Sequence, residues 1–141
     1  MSFKFRFTVV ALCALSLTGC VNREQADTKL AKGCAAAAGA LLPDGHTLGE
    51  VLEKKSTPSP EGPNYRHITI KVKQMDGWLE GDGTYDCTFE EDFGFMKSQY
   101  TGSLYQLKIG DKTYGKAGNE VMGTAEEFLK ITEAVRKAMY Q

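Results

Sequence analysis

Two strand-like stretches, 65–75 and 78–91, flank the dipeptide Asp76-Gly77. Asp-Gly is strongly favoured in the two-residue type I′ turns that join antiparallel strands. The pattern therefore predicts a β-hairpin with Asp76 and Gly77 in the loop and Met75 paired with Trp78. This hairpin is the strongest constraint on the fold, because the length of its loop fixes the register of both strands.

In the predicted register the two faces of the hairpin differ in chemistry. One face places opposite charges side by side, which stabilises a strand pair: Lys73 with Glu80, Lys71 with Asp82, and His67 with Asp86, with Thr69 facing Thr84. The other face is mostly apolar and includes Ile68, Ile70, Val72, Leu79, Tyr85, Cys87 and Phe89. A shift of one residue would move the lysines onto the apolar face, so the pattern supports this register.

Helical patterns lie on both sides of the hairpin. Leu30, Cys34, Ala37, Ala38 and Leu41 recur at the spacing of one apolar helix face, and Pro43-Asp44-Gly45 ends that helix. The helix can start at a capping box of Asn22 and Gln25. Two further capping boxes predict a short helix from Thr47 and Glu50, containing Leu48, Val51 and Leu52, and a C-terminal helix from Thr124 and Glu127.

The remaining segments complete an α+β fold. Residues 56–64 hold three prolines and are a predicted loop, while 102–109 and 112–114 are predicted strands joined by Gly110-Asp111. Residues 90–98 are a predicted link whose Phe93 and Phe95 enter the core, and 116–123 a mobile loop. The expected fold is an N-terminal Ala-rich helix, a short helix, an antiparallel meander of three or four strands, and a C-terminal helix.

The first twenty residues have the layout of a secretory signal. Lys4 and Arg6 precede the apolar run 8–17, which is too short to span a bilayer as a mature helix. The run leads to Leu17-Thr18-Gly19-Cys20, an aliphatic residue, two small residues and a cysteine. This tetrapeptide resembles the lipobox of bacterial lipoprotein precursors.

The resemblance covers residues 1–20 and implies the processing of that family. It implies diacylglyceryl transfer to the Cys20 thiol, cleavage of the signal peptide 1–19, and N-acylation of the new terminus. Two or more acyl chains anchor a protein stably to a membrane. Val21, where the family uses Asp for inner-membrane retention, favours an outer-membrane lipoprotein facing the periplasm in a didermous host. The expected mature chain has a lipidated tether at 20–25 and one domain at 26–141.

Two further cysteines, Cys34 and Cys87, remain in the expected mature domain. An oxidising compartment favours a disulfide between them, and both fall on predicted core-facing surfaces, one of a helix and one of a strand. Two buried free thiols are the alternative. The placement of the two cysteines on these surfaces predicts that the first helix lies across the hairpin.

Composition and motifs argue against several kinds of function. With 17 Lys and Arg against 18 Asp and Glu, the chain lacks the basic excess of a nucleic-acid binder. No motif predicts a metal site or a cofactor. The acidic run at 76–92 could bind calcium and the Gly115 loop a phosphate, but neither has the motif spacing that such a site needs. His67 could act as a general base with Asp86, but an exposed cross-strand pair explains these two residues more simply.

Two segments are candidate binding surfaces. The first is Met75 and Trp78 at the end of the hairpin, because exposed aromatic and methionine side chains are enriched at protein interfaces. A glycine-rich basic loop is the second candidate, with Gly115, Lys116, Gly118 and Asn119.

The sequence therefore predicts a lipid-anchored, non-enzymatic cell-envelope protein that binds another envelope protein or the cell wall. An inhibitor or exclusion lipoprotein, which blocks a foreign enzyme or a phage, is an alternative that shares these features. A small periplasmic ligand carrier or enzyme is another, and it would need a concave site around His67 and Asp86.

Overall fold

The computed structural model describes residues 21–141, so the predicted signal peptide and Cys20 lie outside the described residues. The two helices are α1 (Arg23–Ala40) and α2 (Ala125–Tyr140). The strands are β1 (His46–Pro58), β2 (Tyr65–Asp76), β3 (Leu79–Asp92), β4 (Thr101–Ile109), β5 (Lys112–Ala117) and β6 (Glu120–Met122), with a 3-10 turn at Phe95–Lys97. All six strands form one antiparallel sheet in chain order.

The predicted α+β class is confirmed, but the meander has six strands and not three or four. The short helix predicted from Thr47 and Glu50 is wrong, because these residues lie in β1, which pairs with β2 along most of its length. The predicted loop at 116–123 is also wrong, since Ala117 pairs with Glu120 in a β5–β6 hairpin. In both segments pairing with a neighbouring strand outweighs the local sequence preference.

Two of the three predicted helix starts are confirmed. Asn22 Oδ1 accepts a hydrogen bond from the Gln25 amide at 2.8 Å, and Gln25 Oε1 accepts one from the Asn22 amide at 3.2 Å. Thr124 and Glu127 form the same reciprocal pair before α2. These bonds satisfy amides that a helix cannot pair internally. The first helix thus begins inside the segment 20–25 that was predicted as a tether.

The two helices pack together on one face of the sheet. A Cβ atom at Gly33 would stand 2.7 Å from Met139 Sδ and 3.3 Å from Phe89 Cζ. Only glycine allows α1 to approach both α2 and the sheet this closely. Buried apolar side chains of both helices and of β2 to β4 form the core, with Leu30, Ile68, Ile70, Val72, Phe89, Leu107 and Ile131 fully buried.

The predicted disulfide is confirmed. Cys34 of α1 and Cys87 of β3 are bonded, with their Cα atoms 5.7 Å apart, and both side chains are buried. The bond joins the helix layer to the middle of the sheet, so α1 crosses the hairpin as the residue pattern predicted.

The β2–β3 hairpin is present, but the type I′ loop predicted for it is wrong. Its strand register differs from the prediction by two residues. Asp76 pairs with Leu79, so the loop is Gly77-Trp78 and not Asp76-Gly77. Gly77 has a φ of +61°, whereas the φ of Trp78 is negative. This arrangement is typical of a type II′ turn, which takes glycine at its first loop position. A shift of two residues leaves every side chain on its predicted face.

The fold has two distinct ends. We call one of them the Arg23 end. There α1 begins beside Glu91 at the end of β3, and the Gly102 amide donates a hydrogen bond to the Tyr140 hydroxyl of α2. At the other, Gly77 donates to the Gly45 carbonyl at 3.1 Å, so the α1–β1 turn braces the hairpin loop. Neither helix in the described part of the chain is long and apolar enough to cross a membrane.

Candidate binding surface

The loop of the β2–β3 hairpin presents large apolar side chains to solvent. We call Asp76–Leu79 the hairpin tip. Trp78 is 86% exposed and Leu79 is 53% exposed, while Met75 beside them is half-buried. Trp78 lies in the turn itself and not on the charged face where it was predicted. Adjacent exposed Trp and Leu side chains are typical of a protein contact, because folded proteins seldom leave such a cluster in water without a partner.

The hairpin tip extends beyond one half of the sheet. β3 pairs with β4 only from Asp86 onward, whereas it pairs with β2 as far as Leu79. The end of the hairpin therefore projects about 20 Å past β4 at the usual rise of a strand. A Cβ atom at Gly81 would meet no atom within 4 Å. The helix layer thus leaves the helix-side surface of β3 uncovered next to the tip.

Lysine–carboxylate ion pairs partly neutralise the charged face of the hairpin. The three predicted pairings form across the diagonal of the observed register, each with 3.3 Å between nitrogen and oxygen: the ion pairs of Lys73 with Glu80 and of Lys71 with Asp82, and the contact of the His67 ring with Asp86. Exposed pairs of this kind stabilise a fold only slightly. No group of three or more metal-binding side chains is present among residues 21–141.

The second predicted binding segment lies at the opposite end of the sheet from Trp78. Gly115 is buried with a φ of +95°, and a Cβ atom there would stand 2.5 Å from the Tyr105 carbonyl oxygen. The positive φ and the close packing together explain the glycine at this position. Gly118 and Asn119 form the β5–β6 turn, and Lys116 is exposed. The structure does not bring this segment and the hairpin tip together.

The face of the sheet opposite the helices holds His67. Its Nε2 lies 3.3 Å from Asp86 Oδ1 and its Nδ1 lies 3.4 Å from Thr88 Oγ1. A pocket of about 240 Å³ adjoins the ring and includes Ser59. The Ser59 hydroxyl accepts from the Glu61 amide and makes no hydrogen bond to His67. Among the hydroxyls that line the pocket, that of Thr88 contacts the His67 ring and that of Ser59 does not.

A larger groove of about 660 Å³ lies between α1 and β1, and sequence reasoning missed it because β1 was predicted as helical. Alanines of α1 and Val51 and Leu52 of β1 line it, along with several charged side chains. Its volume lies within the range of small-molecule sites, and the groove is partly open to solvent.

A partly buried polar cluster joins α1 to the sheet at the Arg23 end. Arg23 donates to both carboxylate oxygens of Glu91, at 2.9 and 2.5 Å, and to Asp27 at 2.7 Å. Tyr100 donates to Glu91 at 2.7 Å. We call Arg23, Glu91, Asp27 and Tyr100 the Arg23 clamp.

The charges of the clamp are matched to one another. Burial lowers the pKa of Arg23, but hydrogen bonds and charge from Glu91, and then from Asp27, outweigh it and raise the pKa above its ordinary value. Burial, together with the hydrogen bond to Glu91, raises the pKa of Tyr100 well above its ordinary value. Tyr100 therefore stays a neutral donor to the Glu91 carboxylate. No sequence pattern predicted the clamp, since its members are up to 77 residues apart along the chain.

Phe95 and Met96 form a second exposed apolar pair. Phe93 packs against the core as predicted, but the prediction for Phe95 is wrong, because its side chain is 85% exposed and that of Met96 is 77% exposed. Phenylalanine and methionine are among the residue types most often buried, so the sequence gives no signal for this surface.

Comparisons of the chain with protein-family models, with curated proteins and with solved structures found no match.

Proposed function

We propose that this chain is the precursor of a lipid-anchored cell-envelope protein that binds another envelope protein through the hairpin tip and performs no catalysis. The observation that carries the binding proposal is the 86% exposure of Trp78 on a braced hairpin that projects past β4. Trp is enriched among the residues that contribute most to protein interfaces. The lipid anchor is supported by the resemblance of residues 17–20 to a lipobox.

The position of the tip relative to the anchor supports the same function. The described chain enters the fold at the Arg23 end, three residues after Cys20. From Glu91 to Leu79, β3 runs about 40 Å at the usual rise of about 3.3 Å per residue. An acyl group on Cys20 would hold the Arg23 end at the membrane and direct the tip away from it, where another protein can reach it.

Substitution of Cys20 tests the anchor. We expect Cys20→Ser to abolish lipid attachment and signal cleavage, because only a thiol can accept the diacylglyceryl group as a thioether. Metabolic labelling with a lipid precursor and mass spectrometry of the mature N-terminal peptide measure both effects. The double variant Cys34→Ala/Cys87→Ala is the matched control and should keep its label. A mature terminus at another residue, or a free thiol on Cys20, would refute the anchor.

Substitution of Trp78 tests the binding surface. We expect Trp78→Ser to reduce affinity for the partner at least about thirtyfold, since truncating a central aromatic anchor costs about 2 kcal/mol or more. Chemical crosslinking in the native envelope, followed by identification of the adducts, would measure the loss. Leu129→Ser is the control, because Leu129 is 68% exposed on α2 and is not part of the hairpin tip. Equal yields of the crosslinked partner from both variants would contradict the proposal. Crosslinks of the wild-type protein to peptidoglycan alone would also contradict it.

A further inference from the structure

The segment after β3 presents two neighbouring apolar side chains with unusual exposure. Phe95 is 85% exposed, Met96 is 77% exposed, and Lys97 follows them. Hydrogen bonds hold this turn in shape: the Gly94 amide donates to Asp92 Oδ1 at 2.7 Å, and the Ser98 hydroxyl donates to the Phe95 carbonyl at 2.6 Å. The exposure of Phe95 and Met96 thus belongs to an ordered turn.

The turn lies at the Arg23 end of the fold. Glu91, four residues before Phe95, is bonded to Arg23, and the ring of Phe93 lies 5.7 Å from Arg23 Cζ. Arg23 is three positions after Cys20 in the chain, which limits their Cα atoms to about 11 Å apart. Phe95 and Met96 are therefore close to the point where an acyl group on Cys20 would leave the protein.

We propose that Phe95 and Met96 insert into the surface of the membrane that holds the lipid anchor, with Lys97 at the level of the lipid phosphates. This inference rests on the proposed anchoring at Cys20. An aromatic and a flexible aliphatic side chain followed by a lysine match the chemistry of a membrane interface, which is apolar below the headgroups and anionic at them. The lysine stem can follow the apolar side chains while its ammonium group stays at the headgroups.

Of the acidic side chains beside the turn, Glu91 is paired with Arg23, whereas Glu90 and Asp92 are exposed and have no ion-pair partner among residues 21–141. The nearness of Cys20, and not the local charge, favours a lipid as the occupant. The short link to Cys20 also makes contact with lipid nearly intramolecular, so two exposed side chains can add to an existing anchor. A protein partner would instead have to reach between the domain and the membrane. Insertion would fix the orientation of the domain and keep the hairpin tip about 40 Å from the lipid, the length of β3.

Tryptophan fluorescence can test the insertion directly, because the chain contains one tryptophan, Trp78. The full lipidated protein is placed in vesicles of phosphatidylethanolamine with a minor share of phosphatidylglycerol, some of them carrying bromine on the acyl chains. The variant Trp78→Phe/Phe95→Trp reports on the turn, and the wild-type protein reports on the tip. Brominated lipid should quench the position 95 reporter at least about twofold more than Trp78, since side chains inserted at an interface lie about 5–10 Å deep.

Vesicle flotation separates this inference from the anchor proposal. A protein that floats with the vesicles is anchored. Quenching at position 95 that is no greater than quenching at Trp78 would then overturn the insertion while leaving the anchor intact. A protein that fails to float refutes the anchoring at Cys20 and with it the basis of the insertion. Adding Met96→Ser to the position 95 reporter should reduce its quenching in the anchored protein, and an unchanged value would also count against the insertion.

Discussion

Removing the disulfide with Cys34→Ala/Cys87→Ala should lower the free energy of unfolding by about 2–5 kcal/mol. The bond closes a loop of 53 residues between α1 and β3, for which the loop-entropy relation gives about 4 kcal/mol. A domain of this size is stable by about 5–15 kcal/mol in total. The loss is therefore large enough to make the variant marginal at physiological temperature.

Chemical denaturation of both proteins under oxidising and reducing conditions measures this effect. A reductant should lower the midpoint of the wild-type protein toward that of the double variant and leave the variant unchanged. If the double variant and the oxidised wild-type protein unfold at the same denaturant concentration, the disulfide does not stabilise the fold and this expectation is wrong.

Removing the acceptor of the Arg23 clamp should also destabilise the domain strongly. Glu91→Ala leaves the partly buried guanidinium of Arg23 and the buried hydroxyl of Tyr100 without their shared partner. Breaking a buried ion pair costs about 3–5 kcal/mol. Because the Arg23 side chain is 37% exposed, solvent reduces this figure, and we expect about 2–4 kcal/mol.

Asp82→Ala is the matched control for the clamp. Its carboxylate pairs with Lys71 on the open face of the sheet, where both side chains are more than 40% exposed. Exposed pairs contribute about 0–1 kcal/mol, so thermal or denaturant unfolding should separate the two variants clearly. Equal losses of stability from Glu91→Ala and Asp82→Ala would show that the clamp is no stronger than a surface ion pair.

The elements predicted correctly are those with strong local signals. The start of α1 follows from the Asn22 capping box, and its buried face follows from the spacing of Leu30 and Cys34. The hairpin faces were right although the register was wrong by two residues, because side chains alternate with a period of two. For the same reason Lys73 still meets Glu80 and Lys71 still meets Asp82, now as diagonal neighbours.

The errors come from contacts that no short window of sequence contains. The segment from Thr47 to Leu52 has a capping pattern and helical spacing, yet pairing with β2 makes it a strand with two register shifts. The Arg23 clamp joins residues from distant parts of the chain. The exposure of Phe95 depends on a turn in which Met96 and Lys97 have positive φ. Residues other than glycine rarely adopt this conformation, so the sequence does not predict the turn. Of the predicted binding residues, Trp78 is strongly exposed, while Gly115 is explained by packing.

On the proposals made above, the hairpin tip faces a protein and the apolar turn at the Arg23 end faces lipid. Site-specific photo-crosslinking in the native envelope tests this division most directly, with the crosslinking residue placed at position 78 in one variant and at position 95 in another. We expect protein adducts from position 78 and lipid adducts from position 95. Protein adducts from position 95 with none from position 78 would contradict it.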